Sequence, residues 1–330
     1  MDRAGARTRT HRSRLRGLSE STPMTTAFAV VADSTDLLVE AFARAGADDS
    51  LVAHHIGQPD EATMIARVAG YPVIVVNESR ISAAVMDSSA ALRQILFLGT
   101  GAANFVDLEA AVARGIPVHT IKGYGDRAVA EHTIALLFAV YRDIAAQDAS
   151  IRAGHWTGAP LGELSGKTIG LIGVGAIGGE VARIAQALGL KVLVWARRPV
   201  DIPGVEHVDL DTLLARADIV SPHLAYTAET AGFLDAARLR RMKRGAVFIN
   251  TARAELTDEA EVIAMLEDGH LAGAGLDVFS TEPLPADHPM RRAAHAVLTA
   301  HTGWQSPEAI ARLIGTGVDI LKRERAALGL

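Results

Sequence analysis

The sequence predicts an α/β protein with two doubly wound parallel sheets, and three observations carry that prediction. At 330 residues the chain exceeds what one hydrophobic core usually organises, so two domains are expected. From Phe28 onward, short apolar runs alternate with amphipathic stretches, the pattern of βαβ units. The runs mostly lack polar alternation, as parallel strands covered by helices on both faces should.

Taken in order, the first series of predicted strands is 28–32, 73–76, 95–98 and 118–121. The second series is 168–172, 192–195, 219–221, 247–250, 273–276 and 297–300, enough for a complete second sheet. Between them, 128–144 is apolar on nearly every face and predicts a helix buried between domains or subunits. No solenoid repeat or low-complexity linker intervenes, so the join is short and is placed near Lys122. The expected division is 24–121 with 302–330 in one domain and 122–301 in the other. Residues 1–23 carry Arg3, Arg7, Arg9, Arg12, Arg14 and Arg16 without an apolar block, which reads as a disordered extension rather than a signal peptide. A transit peptide or a nucleic-acid arm is the alternative for that segment, and Met24 is a candidate functional start.

Composition narrows the function classes. Hydrophobic residues make up 49% and charged residues 22%, the profile of a soluble globular protein. A formal net charge of -5 offers no global attraction to nucleic acid or anionic membrane, so small molecules are the expected partners. Cysteine is absent, which removes disulfides and thiolate chemistry and suits a reducing cytoplasm. The longest apolar stretch, 134–141, is far short of the ~20 residues that span a bilayer.

The clearest motif follows the strand at 168–172. Gly173-x-Gly175-x-x-Gly178 lies between that strand and a helix, where the first glycine permits a tight turn, the second lets backbone approach a pyrophosphate, and the third lets helix and strand pack closely. The helix amino end, at Ala176 and Ile177, then faces anionic oxygens. This makes the second domain a Rossmann dinucleotide-binding unit. The next strand ends Trp195-Ala196-Arg197-Arg198, with no carboxylate for a ribose diol where Ala196 stands. Two guanidinium groups pair instead with a 2'-phosphate, so NADP is the preferred cofactor, with NAD possible.

Three polar residues further on each follow a predicted strand: Arg253, Glu282 and His301. Ligands of open α/β sheets bind at the carboxyl ends of strands, so these three can converge on one crevice with the cofactor. There the sequence strongly resembles the D-isomer-specific 2-hydroxyacid dehydrogenases over roughly 70–310. Besides the glycine motif, the resemblance rests on Leu98-Gly-Thr-Gly-Ala-Ala-Asn-Phe-Val-Asp107, Ala128-Val-Ala-Glu-His-Thr-Ile-Ala-Leu-Leu137, Pro222-His-Leu-Ala-Tyr-Thr-Ala-Glu-Thr230 and Ala272-Gly-Ala-Gly-Leu-Asp-Val-Phe279 with its continuation to Pro285.

That resemblance implies a flavodoxin-like substrate domain beside the Rossmann domain, the active site in the cleft, and a homodimer built around the cofactor domains. It implies that Arg253 binds substrate, Glu282 is the carboxylate of the Glu-Pro motif and His301 is the acid/base. Reducing a ketone needs a hydride and a proton, and an imidazole oriented by a carboxylate can supply the proton. Arginine offers a planar fork that grips a carboxylate. His223, Thr251 and Asp277 are expected near the cofactor. Asn77, Ser79, Gly99, Thr100, Gly101 and Trp304 are expected to line the substrate pocket, with the loops 77–81 and 98–101 offering backbone amides to its carboxylate.

The sequence departs from the family pattern at Ala254, where glycine usually follows the arginine, and at Trp304, where a small residue is common. No regulatory extension follows the last predicted helix, so control by serine is not expected. His54 and His55 are adjacent and would diverge on a strand, and no metal site is expected. The expected activity is reduction of glyoxylate, hydroxypyruvate or another short 2-oxo acid. The alternative is a dinucleotide-sensing binding protein like the C-terminal-binding-protein corepressors, which share the fold.

Overall fold

In the computed structural model, residues 27–156, 158 and 160–329 are described; the arginine-rich segment 1–23 and the candidate start Met24 lie outside them. The first series of apolar runs becomes β1 (Ala29–Ser34), α1 (Asp36–Arg44), β2 (Val52–Ile56), α2 (Glu61–Val68), β3 (Val73–Val76), α3 (Ala83–Asp87), β4 (Gln94–Phe97), α4 (Leu108–Ala113) and β5 (Val118–Thr120). The strands are ordered β2-β1-β3-β4-β5, the flavodoxin-like order, with β1 parallel to both β2 and β3. All of β1, β3 and β4 is buried, which is why each reads largely as an apolar run, with the buried polar Asp33, Ser34 and Gln94 at strand ends. Each helix begins where the sequence places a capping residue: Thr35, Asp60, Ser82 and Asp107 accept first-turn amides.

The second series follows α5 (Asp126–Tyr141) and α6 (Ile144–Arg152). It comprises β6 (Thr168–Ile172), α7 (Ala176–Ala187), β7 (Lys191–Trp195), β8 (Val205–His207), α8 (Leu210–Arg216), β9 (Ile219–Pro222), α9 (Ala236–Leu239), β10 (Ala246–Asn250), α10 (Glu259–Glu267), β11 (Leu271–Leu276), β12 (Ala296–Leu298) and α11 (Pro307–Ala327). The sheet order is β12-β11-β10-β9-β6-β7-β8, every neighbouring pair is parallel, and the winding direction reverses between β6 and β9. α5 seats directly on this sheet. A Cβ on Gly275 of β11 would stand 3.0 Å from that of Leu136, so the glycine makes the close approach possible.

Three expectations are corrected. Strands β2 and β8 were not foreseen, because Val-Ala-His-His-Ile and Val-Glu-His carry polar side chains; each is a sheet edge with one neighbour, where such residues stay partly hydrated. The helix expected over 128–144 ends at Tyr141. Asp143 takes a left-handed conformation with φ 48, and a separate helix starts at Ile144. The last predicted strand stops at Leu298 instead of Ala300.

Contacts divide the chain into two compact units, one holding the described chain through Leu96 with Ala103–Val118 and the residues from Leu321 on, the other Phe97–Ala102 with His119–Ile320. The division parts α11 at Ile320, whereas the sequence boundary was drawn before the helix. Among the described residues no helix is long and apolar enough to cross a membrane.

Candidate active site

In the glycine loop each glycine has its own geometric reason. Gly173 has φ 91, and a Cβ there would lie 2.8 Å from the His223 carbonyl oxygen. A Cβ on Gly178 would lie 2.4 Å from the Gly173 carbonyl oxygen, so helix and strand can meet only without one. A Cβ on Gly175 would meet nothing within 4 Å, which leaves open the space a pyrophosphate needs. Gly175 caps α7 without a side-chain hydrogen bond, and Ala176 and Ile177 supply the first-turn amides.

A cavity of about 610 Å³ opens here, lined by Gly173, Val174, Gly175, Ala196, Arg197, Arg198, Val200, His223, Leu224 and Ala225. It lies at the carboxyl ends of β6, β7 and β9, where the winding reverses. Among the described residues, neither Arg197 nor Arg198 has a hydrogen-bond or ion-pair partner. Burial pushes the His223 imidazole down from 6.5 to about 4, and its Nε2 lies 3.1 Å from Ser221 Oγ. It is therefore a neutral contact at neutral pH. The open glycine at the amino end of α7 fits the pyrophosphate of a dinucleotide.

The loops after β10, β11 and β12 carry the other polar groups. Asn250 closes the first: its Oδ1 accepts from the Ala252 amide at 3.0 Å and its Nδ2 donates to the Arg253 carbonyl at 3.0 Å. Arg253 Nη1 donates to the Ala252 carbonyl at 2.6 Å, while Nη2 lies 3.5 Å from where a Cβ on Gly101 would stand. His301 Nδ1 is 2.8 Å from Glu282 Oε2, and Glu282 Oε1 accepts the Phe279 amide at 2.9 Å. His301 has φ 53, a left-handed backbone uncommon for residues with a side chain. The expected acid/base pair is thus in contact, with both side chains partly open to solvent.

Trp304 meets Tyr124 edge to face, with ring centroids 5.8 Å apart and planes at 81°. A Cβ on Gly125 would lie 3.1 Å from that of Trp304. Burial raises the Tyr124 phenol pKa, and the nearby Arg253 charge opposes that rise. Gly101, Tyr124, Arg253 and Trp304 accordingly form a connected group.

Other expected contacts are used differently. The amides of Asn77, Glu78 and Ser79 donate to the Asp33 carboxylate at 3.3, 2.8 and 2.7 Å, and the Ser79 hydroxyl donates to Gln58. These amides, expected to hold a substrate carboxylate, already hold one from the chain itself. Gly99 donates its amide to the Phe97 carbonyl at 2.9 Å, and among the described residues the Thr100 and Gly101 amides have no backbone partner.

Thr251 and Asp277, expected at the cofactor, have their polar groups engaged elsewhere. Thr251 Oγ1 lies 2.7 Å from Thr133 Oγ1. Asp277 Oδ1 accepts from Thr299 Oγ1 at 2.6 Å and the Thr302 amide at 2.9 Å, and Oδ2 accepts the Gly303 amide at 2.9 Å. Burial alone would raise the Asp277 pKa, but hydrogen bonds from His132, Thr299, Gly303 and Thr302 bring it below the usual carboxylate value. Sequence reasoning missed Asp33, Tyr124, His132 and Thr133. The last two lie inside a quoted motif, but no local pattern says which distant loops a buried helix touches.

The sequence model of the D-isomer specific 2-hydroxyacid dehydrogenase NAD binding domain matches residues 134–303. The chain is 36% identical over 272 residues to a glycerate dehydrogenase of Methylorubrum extorquens, covering 79% of this chain and 84% of that one. It is 40% identical over 248 residues to a glyoxylate reductase of Thermofilum pendens, covering 71% and 72%. A D-3-phosphoglycerate dehydrogenase of Mycobacterium tuberculosis is 36% identical over 85% of this chain, which spans only 53% of that longer protein. Among solved structures, a Thermus thermophilus protein superposes with TM-score 0.80 at 37% identity, covering 89% of this chain and 95% of that one. An acyclic imino acid reductase in complex with NADPH and D-Arg superposes with TM-score 0.78 at 29% identity, covering 91% and 97%.

Proposed function

Because the chain belongs to the D-isomer-specific 2-hydroxyacid dehydrogenases, we propose that it reduces a short 2-oxo acid of the glyoxylate or hydroxypyruvate type to its D-2-hydroxy acid, with NADPH preferred and NADH accepted. The observation that carries this reading is the 2.8 Å contact of His301 Nδ1 with Glu282 Oε2. Nδ1–H donates to the carboxylate, which orients the ring and leaves Nε2 to serve the substrate. The amides of Ala176 and Ile177 and the open space at Gly175 would hold a reduced nicotinamide dinucleotide, whose chemistry when bound would be hydride donation to the carbonyl carbon. His301 Nε2 gives its proton to the carbonyl oxygen as negative charge develops there, and the exposed ring regains a proton from solvent. Arg253 grips the substrate carboxylate through Nη2, with the Thr100 and Gly101 amides beside it.

The cofactor preference rests on Arg197 and Arg198, which line the cavity with no carboxylate in the ribose position. The NADPH complex of the similar imino acid reductase supports the same choice. Trp304 against Tyr124 narrows the pocket in favour of small substrates. In this reading 24–121 with 302–330 form the substrate domain, 122–301 form the cofactor domain, and the enzyme works in the cytoplasm. It also works as a homodimer. Helix α6 buries none of its residues, and Ile144, Ile151 and Trp156 are exposed by 51%, 51% and 93%, so a second copy would cover them.

The test is a panel of 2-oxo acids offered with NADPH and with NADH to the full chain. Oxidation of NADPH by glyoxylate or hydroxypyruvate, with a kcat/KM roughly tenfold above that with NADH, is the expected result for one or two charge-assisted contacts to the 2'-phosphate. No turnover with any member, using either cofactor, overturns the reading.

A further inference from the structure

Helix α5 presents two consecutive side chains to the loops that carry the proposed acid and the proposed carboxylate grip. His132 Nε2 lies 2.9 Å from Thr299 Oγ1 and 3.4 Å from Asp277 Oδ1. Thr299 Oγ1 donates its only proton to Asp277, so toward His132 it is an acceptor, and Nε2 must be the protonated nitrogen. Asp277 then receives the amides of Thr302 and Gly303, the two residues that follow His301. A Cβ on Gly303 would stand 2.9 Å from Asp277 Oδ2 and 3.1 Å from His132 Cδ2, so the loop packs directly on this pair.

The next residue does the same for the other loop. Thr133 Oγ1 donates to the Val129 carbonyl at 2.8 Å, and so it accepts from Thr251 Oγ1 at 2.7 Å. Thr251 precedes Arg253 by two residues in the turn closed by Asn250. Thr133, Thr251 and Asp277 are buried, so these hydrogen bonds do not exchange freely with water.

We propose that His132 and Thr133 are positioning residues, His132 holding the His301 loop through Thr299 and Asp277, and Thr133 holding the Arg253 loop through Thr251. One helix thereby sets where the proton donor stands relative to the carboxylate grip. The left-handed backbone of His301 persists because Asp277 holds the two amides after it. This inference rests on the reading of His301 and Arg253 given above. It adds a division of labour: loosening His132 disturbs proton delivery, and loosening Thr133 disturbs substrate grip.

The test compares His132→Ala, His132→Gln, Thr133→Val and Thr133→Ser in the full chain, with the best 2-oxo acid of the panel. His132→Ala is expected to lower kcat about tenfold or more, a small displacement of a catalytic group being enough for that, while cofactor KM stays within about twofold. Glutamine, whose amide nitrogen can replace Nε2, recovers most of the loss. Thr133→Val is expected to raise the KM for the oxo acid roughly fivefold to tenfold with kcat little changed, and serine to restore it.

A second measurement is independent of turnover. Carbethoxylation of His301 by diethyl pyrocarbonate, followed by peptide mass spectrometry on the ligand-free protein, should accelerate in His132→Ala and not in Thr133→Val. Thr299→Val, which removes the hydroxyl between His132 and Asp277, gives the same test if the alanine variant fails to fold. Unchanged His301 reactivity, or equal effects of the two sites on kcat and on KM, overturns the proposal. A wild-type chain that turns over no 2-oxo acid overturns the proposed function instead, and the carbethoxylation comparison still decides the clamp.

Discussion

The two sheets reverse their winding at equivalent places and do opposite things there. In the first sheet the reversal falls between β1 and β3, and the buried carboxylate of Asp33 at the end of β1 takes the amides of Asn77, Glu78 and Ser79. In the second it falls between β6 and β9, where the glycine loop offers amides and open space at Gly175, and the loop after β7 adds two guanidinium groups to a cavity whose described lining has no carboxylate. Crevices of this kind are natural anion sites, since strand ends and helix amino ends point into them. The first is filled by the chain's own anion and becomes structural. The second is left for a ligand.

Breaking the open crevice should have the largest effect. Gly178→Ala places a Cβ 2.4 Å from a carbonyl oxygen, so strand and helix must separate. Overpacking of this kind costs up to about 3 kcal/mol, and if it falls on the bound geometry, cofactor affinity drops roughly a hundredfold. Gly175→Ala sharpens the comparison because its Cβ meets nothing within 4 Å of the protein. It should leave the thermal midpoint unchanged and still weaken cofactor binding, measured by nucleotide fluorescence titration. Equal affinity in the Gly175 variant would show that the space is not where the pyrophosphate lies.

Breaking the closed crevice should cost stability. Asp33→Ala leaves three amides without their acceptor, the Ser79 amide buried and the Asn77 and Glu78 amides nearer solvent, a loss of about 2 to 4 kcal/mol from hydrogen bonds to a charged group and the desolvation of the buried one. Urea unfolding measures it, and millimolar formate or acetate should recover part of the loss by occupying the vacated amides. A variant as stable as wild type would mean that water replaces the carboxylate without penalty.

The same contrast explains what was legible in the sequence. The glycine motif could be read because each glycine is required at a fixed offset from a strand, whereas Arg253, Glu282 and His301 stood out as polar residues past strand ends whose roles the family resemblance implied. Parallel strands were readable as aliphatic runs, whereas β2 and β8, with His54, His55, Glu206 and His207, were not, since an edge tolerates polar residues. Asp33 was invisible because its partners lie 44 to 46 residues away and contribute only backbone, which carries no sequence signature. His132 and Thr133 were invisible for a related reason: an all-round apolar helix states that it is buried, but not which of its few polar atoms meets which loop.

The smallest effect concerns the histidine that lines the open crevice. Burial alone lowers the His223 pKa from 6.5 to about 4, with no charged group contributing. A histidine whose folded value lies below its unfolded one takes up its proton more readily when the chain unfolds. Its contribution to stability is therefore full above pH 6.5, declines as pH falls from 6.5 toward 4, and declines no further below that. Asp277 also loses its contribution in acid, but only as pH falls below the ordinary carboxylate value of 3.8, so the two windows separate. His223→Gln should flatten the dependence of unfolding free energy on pH between 6.5 and 4 while leaving the steeper loss in stronger acid. Urea midpoints taken at intervals across that range measure the slope. If the slope is the same in both proteins, the imidazole is hydrated in the free enzyme, and the open crevice is wetter than its lining of Leu224, Val200 and Ala225 implies.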